Sequence, residues 1–166
     1  MSTSTYLRLV ALLVGLSVWA CGDSEDGPTS SGTIDPLSDL SVTWNGGSIG
    51  ANLMPIQPPD PVACQVWLIL ENESQLEAFS KIEIPTADVI LVGPDSVLGT
   101  IPLETDWNGF LAPGKTDTIR LFKNPGDQKV FTAPCSQRVL MDFLIRNVDG
   151  ETKVFRSQAL TFHCVF

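Results

Sequence analysis

The sequence predicts an all-β domain over residues 37–166, an antiparallel sandwich of about seven to nine short strands. From Leu37 onward, apolar residues recur at every second position, which is the period of a strand with one buried face. Turn-forming clusters such as Gly93-Pro94-Asp95 and Pro113-Gly114 separate these segments at short intervals. Only Glu73–Ser80 has a composition compatible with a short helix, and a loop with one helical turn is the alternative.

The individual strands are predicted from alternating patterns that end at turn residues. Leu40, Val42 and Trp44 alternate with polar residues, and we expect this strand to end at a turn formed by Asn45-Gly46-Gly47. In Cys64–Glu71, every second residue from Cys64 to Leu70 shares one apolar face. The later candidates are Lys81–Ile84, Asp88–Val92, Val97–Ile101, Thr116–Phe122, Gln137–Arg146 and Thr152–Phe162, with a further turn at Asn124-Pro125-Gly126-Asp127.

The last two segments are expected to form a long hairpin. Its turn is predicted at Asp149-Gly150, a dipeptide typical of two-residue type I′ turns. If Val148 faces Glu151 and the ladder is unbroken, Cys135 lies directly opposite Cys164. Paired residues of this kind have Cα atoms about 4.5 Å apart, a distance that a disulfide accepts. A bulge in so long a hairpin would change this register.

The first 21 residues have the layout of a secretory signal. Arg8 precedes about ten apolar residues, Leu9–Val18, too few to span a bilayer as a helix. The tetrapeptide Val18-Trp19-Ala20-Cys21 resembles the lipobox of bacterial lipoproteins. Val18 supplies the aliphatic residue three positions before the cysteine, Ala20 supplies the small residue just before it, and Trp19 departs from the family's small or β-branched residue. An uncleaved anchor and a secretion signal cut elsewhere are the alternatives.

The resemblance implies where the protein is located. Residues 1–20 would be removed as a lipoprotein signal peptide, and Cys21 would carry acyl chains such as palmitate that attach the protein to a membrane of the bacterial cell envelope. Gly22 replaces the Asp that such proteins use for inner-membrane retention, which implies the outer membrane. Residues 21–36 would then be the lipidated cysteine and a disordered acidic tether, spanning roughly 20 Å on average.

The charge of the chain excludes one class of partner. Without the signal segment, nineteen acidic residues stand against nine basic ones, because Arg8 is the tenth, and the net charge is therefore −10. Such acidity argues against binding to nucleic acid, whose phosphates would be repelled. It also argues against attachment to an anionic membrane through a basic patch. Solubility is the simplest explanation of the acidity.

The order of the predicted strands resembles an immunoglobulin-like bacterial domain. Cys64–Glu71 matches an early core strand, Pro113-Gly114 before Thr116–Phe122 matches the turn that often precedes a middle strand, and the terminal hairpin matches the last two strands. A tyrosine corner is absent, because the only tyrosine lies in the signal segment. This topology implies that Cys64, Cys135 and Cys164 gather at one end of the domain.

In an oxidising envelope, three cysteines indicate one disulfide and one free thiol. The hairpin register favours Cys135–Cys164. Cys64 with either of the other two is the competing pairing, since a link between sheets would close a longer loop.

His163, the only histidine, could take part in a zinc site or in a catalytic pair with a serine. A Cys₃His zinc site is not expected, because no Cys-x₂-Cys pair is present and His163 and Cys164 point to opposite faces of a strand. A serine hydrolase would need Ser136, which could face His163 across the hairpin. No Gly-x-Ser-x-Gly motif accompanies it. We therefore expect no catalytic residue, metal or cofactor.

Trp107 and Phe110 are the candidate ligand-binding residues, since aromatic side chains in a loop can stack on sugars or anchor a protein partner. Core packing or a hydrophobic contact within the turn is the alternative. The sequence as a whole predicts a lipid-anchored, non-enzymatic binding or structural module that contacts an envelope protein or glycan. A small envelope hydrolase using Ser136 and His163 is one alternative, and an inert spacer or assembly factor is another.

Overall fold

A computed structural model describes residues 37–55, 58–126 and 128–166. The predicted signal peptide, Cys21 and the predicted tether up to residue 36 lie outside the described residues, as does Asp127 of the turn predicted at 124–127. Within the described ranges, no helix is long and apolar enough to cross a lipid bilayer.

The described residues form nine strands, most of them paired antiparallel. They are β1 Leu40–Asn52, β2 Val62–Asn72, β3 Ile82–Leu91, β4 Ser96–Pro102, β5 Glu104–Thr105, β6 Thr116–Lys123, β7 Arg138–Asn147, β8 Thr152–Arg156 and β9 Leu160–Val165. The pairing of β1 with β9 is parallel.

The strands are arranged in two layers. One layer has the order β5-β6-β2-β1, the other has the order β4-β3-β7-β8, and β9 pairs with both β7 and β1. In immunoglobulin domains strands A, B, E and D form one sheet and strands C, F and G form the other. Here β1, β2, β6 and β5 occupy the first set of places, and β3, β7 and β8 occupy the second. The predicted all-β, immunoglobulin-like sandwich is confirmed.

The core lies between the two layers and is built from the apolar face of each strand. In β2, the predicted inward face from Cys64 to Leu70 is buried, and its alternate residues are more accessible. From the other layer, Met141 and Phe143 of β7 are fully buried. The rings of Phe143 and Trp44 of β1 lie 6.3 Å apart. Burial of each large side chain stabilises the fold by about 1.5–3 kcal/mol.

The turn predicted at Asn45-Gly46-Gly47 is wrong, because β1 continues through this segment. The register against β2 shifts between Trp44 and Gly47, which marks a bulge. Gly46 has a φ of 114°, and a Cβ at Gly47 would lie 2.6 Å from a methyl carbon of Val66. The glycines therefore permit a bulge and a close strand contact, and the single strand is about 40 Å long.

The two strands predicted at Lys81–Ile84 and Asp88–Val92 are one strand, β3. Pro85 lies between them and has no N–H to donate to a ladder. The register against β7 shifts between Glu83 and Thr86, so the proline sits in a bulge. Its carbonyl accepts a hydrogen bond from the backbone N–H of Leu103 at 2.8 Å. The bulge allows the strand to continue past the proline.

The terminal hairpin differs from the prediction in two places. Its loop has three residues, Val148–Gly150, and Asn147 faces Glu151, whose N–H donates to the Asn147 side chain at 2.9 Å. Only Gly150 of the loop has a positive φ, 86°, so the turn is not type I′. The predicted Thr152–Phe162 strand is also broken into β8 and β9.

These two departures have opposite effects on the register. The three-residue loop moves the β7–β8 pairing by one residue, so that Arg146 faces Thr152. The break between β8 and β9 adds one residue on the second strand, and Val139 faces Leu160. The predicted register is thereby restored where β9 begins. The two cysteines of the hairpin are brought opposite each other by two compensating irregularities.

Two ends of the sandwich are used below. The proximal end is where β1 begins, together with the loops 73–81, 106–115 and 148–151. The distal end is where β1 and β9 end, together with the loops 53–61, 92–95 and 124–137. The segment Glu73–Ser80 is a loop without a helical turn, in which the Ser74 hydroxyl accepts a hydrogen bond from the N–H of Glu77 at 3.1 Å.

Candidate functional site

Cys64, Cys135 and Cys164 all lie at the distal end. The structure contains a disulfide between Cys135 and Cys164, whose Cα atoms are 5.4 Å apart, and Cys64 is a buried free thiol. Cys64 faces Ile49 of β1, while Cys164 faces Ala51 on the same strand. The disulfide therefore fastens β9 to the segment that leads into β7, and the competing pairings through Cys64 are not formed.

Burial raises the pKa of the Cys64 thiol to about 11, and a hydrogen bond from the Lys123 backbone and the Lys123 charge act in the opposite direction. A thiol with so high a pKa is protonated at neutral pH. Since the thiolate is the reactive form, Cys64 is not a nucleophile in the folded domain. Within the described ranges, no three His, Cys, Asp or Glu side chains are grouped so that they could hold a metal ion.

The raised pKa of Cys64 predicts a loss of stability at high pH. Between the ordinary pKa of 9.0 and about 11, the unfolded chain releases the thiol proton while the folded chain keeps it. The free energy of unfolding is therefore expected to fall by about 2–3 kcal/mol across this interval. Urea unfolding at several pH values gives the dependence of the free energy of unfolding on pH. The difference between the parent and a Cys64→Ala variant separates the contribution of the thiol from that of the lysines, which titrate in the same range. Parallel slopes in the two proteins would contradict the prediction.

Ser136 and His163 do not form a catalytic pair in this structure. Both side chains are exposed, and among the described residues no hydrogen bond joins them. Ser136 has a φ of 62° and donates its backbone N–H to the carbonyl of Phe162 at 2.9 Å. His163 lies opposite Gly50 of β1 and lines a groove that Ser136 does not line.

Trp107 and Phe110 have different surroundings in the 106–115 loop. Trp107 packs partly buried against the core, and its indole N–H donates to the Asp117 carboxylate at 2.9 Å. Phe110 is 49% exposed. Gly109 between them has a φ of 82°, and a Cβ there would lie 2.8 Å from the Ile82 carbonyl. The loop is therefore fixed to the sandwich by Trp107, which packs against the core, while Phe110 lies on the surface.

A groove of about 400 Å³ crosses the outer face of the first layer near the distal end. In the β9-β1-β2 ladders His163 lies opposite Gly50, and Gly50 lies opposite Ala63. Gly50 and Ala63 form a low floor, with His163 on one side and Asn124 on the other. A Cβ at Gly50 would collide with the carbonyl oxygen of His163, so glycine is required at this position. The volume lies within the range typical of small-ligand sites.

The lining of the groove is mostly apolar, with polar side chains set into it, and carries no carboxylate among the described residues. Asn52, Gln65 and Asn124 offer amide donors and acceptors. Arg120 lies over the ring of Phe122, with 4.7 Å between its guanidinium carbon and the ring centroid. Its only described ion pair is a distant one with Asp106. In a chain with a large excess of acidic residues, this groove combines a cation with neutral hydrogen-bonding groups.

A buried ion pair supports the edge of the groove. The Lys123 ammonium lies 2.5 Å from the Asp60 carboxylate and also donates to the carbonyls of Val62 and Asn124 at 2.8 and 2.9 Å. Both charged side chains are almost completely inaccessible. Asp60 pairs through its backbone with Gly126. The pair therefore joins the loop before β2 to the loop after β6, whose Asn124 forms one wall of the groove.

Sequence reasoning missed the groove because its residues lie on four strands that are distant in the chain. Gln65 and Ala63 could be placed on the outward face of β2 from its period of two, and Gly50 within a strand was a signal of close backbone contact. That β9 pairs in parallel with β1 next to Gly50 was not visible in the sequence. Of the candidate residues that the sequence indicated, His163 and Cys64 line the groove.

Comparisons with known proteins do not show a family for this chain. No protein-family model matches the chain, and no curated protein matches its sequence. Among solved structures, the chain is similar to the ASH/PapD-like domain (PapD-like domain 7) of human CEP192. The identity is 10%, the TM-score is 0.35, and the match covers 77% of this chain and 87% of that chain.

Proposed function

We propose that this chain is a lipid-anchored protein of the bacterial cell envelope, attached to the outer membrane through acylated Cys21. Its sandwich would be a non-enzymatic module that binds an acidic saccharide of the envelope in the groove at the distal end. The tetrapeptide Val18-Trp19-Ala20-Cys21 supports the anchor. The disulfide between Cys135 and Cys164 is compatible with an oxidising compartment.

The lining of the groove is the observation that carries the proposed ligand. Saccharides present hydroxyl and amide groups, which the side chains of Asn52, Gln65 and Asn124 can bind as donors and acceptors. Arg120 supplies the charge for an acidic substituent, and charge-assisted hydrogen bonds are the stronger ones. The flat floor formed by Gly50 and Ala63 leaves room for a ring. A hydrolase is not favoured, because no base lies within hydrogen-bonding distance of Ser136 in the described structure.

Replacing Arg120 by glutamine is expected to weaken binding of an acidic saccharide about tenfold, the ratio that corresponds to about 1.4 kcal/mol. Chemical-shift titration with the disaccharide of N-acetylglucosamine and N-acetylmuramic acid would measure this. The neutral disaccharide chitobiose should bind both proteins alike.

Arg138→Gln is a matched control, because Arg138 is an exposed arginine outside the groove. It should leave both affinities unchanged. If neither disaccharide shifts the resonances of Gly50, Ala63 or Gln65, the saccharide proposal is wrong and an inert spacer is favoured.

The anchor is tested separately from the groove. Mass spectrometry of the N-terminal peptide should show cleavage before Cys21 and a mass increase from acyl chains. A Cys21→Ser variant should move from the membrane fraction to the soluble fraction. An unacylated N-terminus on a membrane-free protein would overturn the proposed anchor and leave the groove experiment unaffected.

A further inference from the structure

We infer that the proximal end of the sandwich rests on the surface of a zwitterionic lipid bilayer, with Leu76, Phe110 and Val148 in contact with lipid. This inference rests on the proposed anchor at Cys21, because only a chain held at a membrane would use so small a contact. It assigns a role to Phe110 that differs from binding in the groove.

The three side chains are among the most exposed large apolar residues of the described chain. Leu76 is 90% exposed, Val148 is 63% exposed and Phe110 is 49% exposed. Each lies in a different loop, and all three loops belong to the proximal end. Single exposed apolar residues are common on protein surfaces, so we base the inference on three that share one end of the sandwich and call them the patch.

The three loops are held together, so that the patch does not depend on chance loop positions. The pairing of Ile82 with Asn147 joins the 148–151 loop to the base of the 73–81 loop. Gln75 also contacts Gly114. Three backbone hydrogen bonds of 2.8–3.0 Å join the loops 73–81 and 106–115, one from Gly114 to Ser74 and two between Phe79 and Leu111. A fourth, from Ile82 at the start of β3 to Gly109, measures 2.8 Å.

The proximal end is the part of the sandwich that the chain from Cys21 reaches first. Leu37 is the first described residue and precedes β1, which begins at the proximal end. The fifteen residues between Cys21 and Leu37 have the composition of an unstructured linker, and a random coil of this length spans roughly 20 Å on average. Linking a weak contact to an anchor over such a distance gives an effective concentration of the order of millimolar. A small apolar contact is then sufficient to orient the domain.

Charge decides which lipid surface fits. Glu73 and Glu77 lie in the first loop and Asp149 in the third, against Lys81 and Lys115. Acidic residues therefore prevail near the patch, and an anionic lipid surface would repel it. A zwitterionic surface carries no such penalty.

Five other exposed apolar residues lie at or next to the distal end, away from the point where the chain enters β1: Met54, Val92, Val97, Val165 and Phe166. Val165 lines the groove at the distal end, and its carbonyl accepts a hydrogen bond from Leu53 at 2.7 Å, next to Met54. With the proximal end on the membrane, this end would lie about 40 Å above the bilayer, the length of β1. The orientation would therefore present the groove to the envelope space.

The experiment uses the mature chain Cys21–Phe166 with the Cys21 thiol coupled to a maleimide phospholipid in phosphatidylcholine vesicles. Cys64 is buried and does not compete for the reagent. Hydrogen exchange should be more than tenfold slower in the loops 73–81, 106–115 and 148–151 than in the same chain capped with a small maleimide in solution. Strands β2 and β6 next to the groove should exchange equally in both.

The triple variant Leu76→Ser, Phe110→Ser, Val148→Ser should lose this protection. The matched control Met54→Ser, Val97→Ser, Val154→Ser, which removes apolar surface elsewhere, should keep it. Equal exchange on and off the vesicle, or protection that survives the first triple variant, would overturn the inference. Stronger protection on anionic vesicles would overturn the zwitterionic assignment. Because the lipid is attached chemically, these outcomes are independent of whether cells acylate Cys21.

Discussion

Replacing Asp60 by alanine is expected to destabilise the domain by about 3–5 kcal/mol, the largest effect of any single substitution considered for this chain. The substitution leaves the Lys123 ammonium buried with two carbonyl partners and no opposite charge. Moving a charge out of water costs several kcal/mol, which two carbonyls alone do not offset without the carboxylate 2.5 Å away. The free energy of unfolding, from urea denaturation monitored by tryptophan fluorescence, measures this loss.

A double variant separates the ion pair from the packing around it. Asp60→Leu combined with Lys123→Met removes both charges and keeps apolar volume, and it should lie within about 1–2 kcal/mol of the parent. The exposed pair of Arg156 and Asp142 is the matched control. Asp142→Asn should cost much less than Asp60→Ala, because half of the Arg156 side chain is exposed and solvent screens its pair with Asp142. An Asp60→Ala variant as stable as the Asp142→Asn variant would show that the buried pair is not as described.

The local patterns of the sequence were sufficient to predict the fold class and most strands. The inward face from Cys64 to Leu70 was visible because a strand with one buried face repeats every second residue. The errors at Asn45-Gly46-Gly47 and around Pro85 have a common cause. Glycine and proline mark turns as well as bulges, and only the partner strand decides between them. At both places the chain continues along an existing neighbour and does not reverse.

The candidate site could be predicted less well than the fold. The sequence offers His163 only as part of an alternative hydrolase, whereas in the structure it lies opposite Gly50, which in turn lies opposite Ala63, and both come from strands far away in the chain. Lys123 was unremarkable in the sequence, because nothing local indicates that a lysine at the end of a strand will meet an aspartate sixty-three residues earlier. Sites assembled from non-consecutive strands depend on the order of the strands in the sheet. The alternation of apolar residues predicts strands but does not predict that order.

Removing the disulfide with Cys135→Ser and Cys164→Ser is expected to lower the free energy of unfolding by about 3–4 kcal/mol. The two cysteines are 29 residues apart, and in the chain-entropy model a cross-link of this length restrains the unfolded chain by that amount. The disulfide also lies where β9 leaves β7 to pair with β1, so its loss should destabilise β9 first. Guanidinium unfolding with and without reductant measures the effect.

The free thiol provides the control for this prediction. Cys64→Ala removes a buried sulfur without breaking a cross-link and should remain sensitive to reductant like the parent. The double serine variant should be insensitive to it. Peptide mapping of the oxidised parent should yield Cys135 linked to Cys164. The three-residue loop and the β8–β9 break each shift the hairpin register by one residue, in opposite directions, so the two cysteines remain opposite each other. A fragment linking Cys64 to either partner would contradict this pairing, since the two hairpin cysteines face each other when both irregularities occur or when neither does.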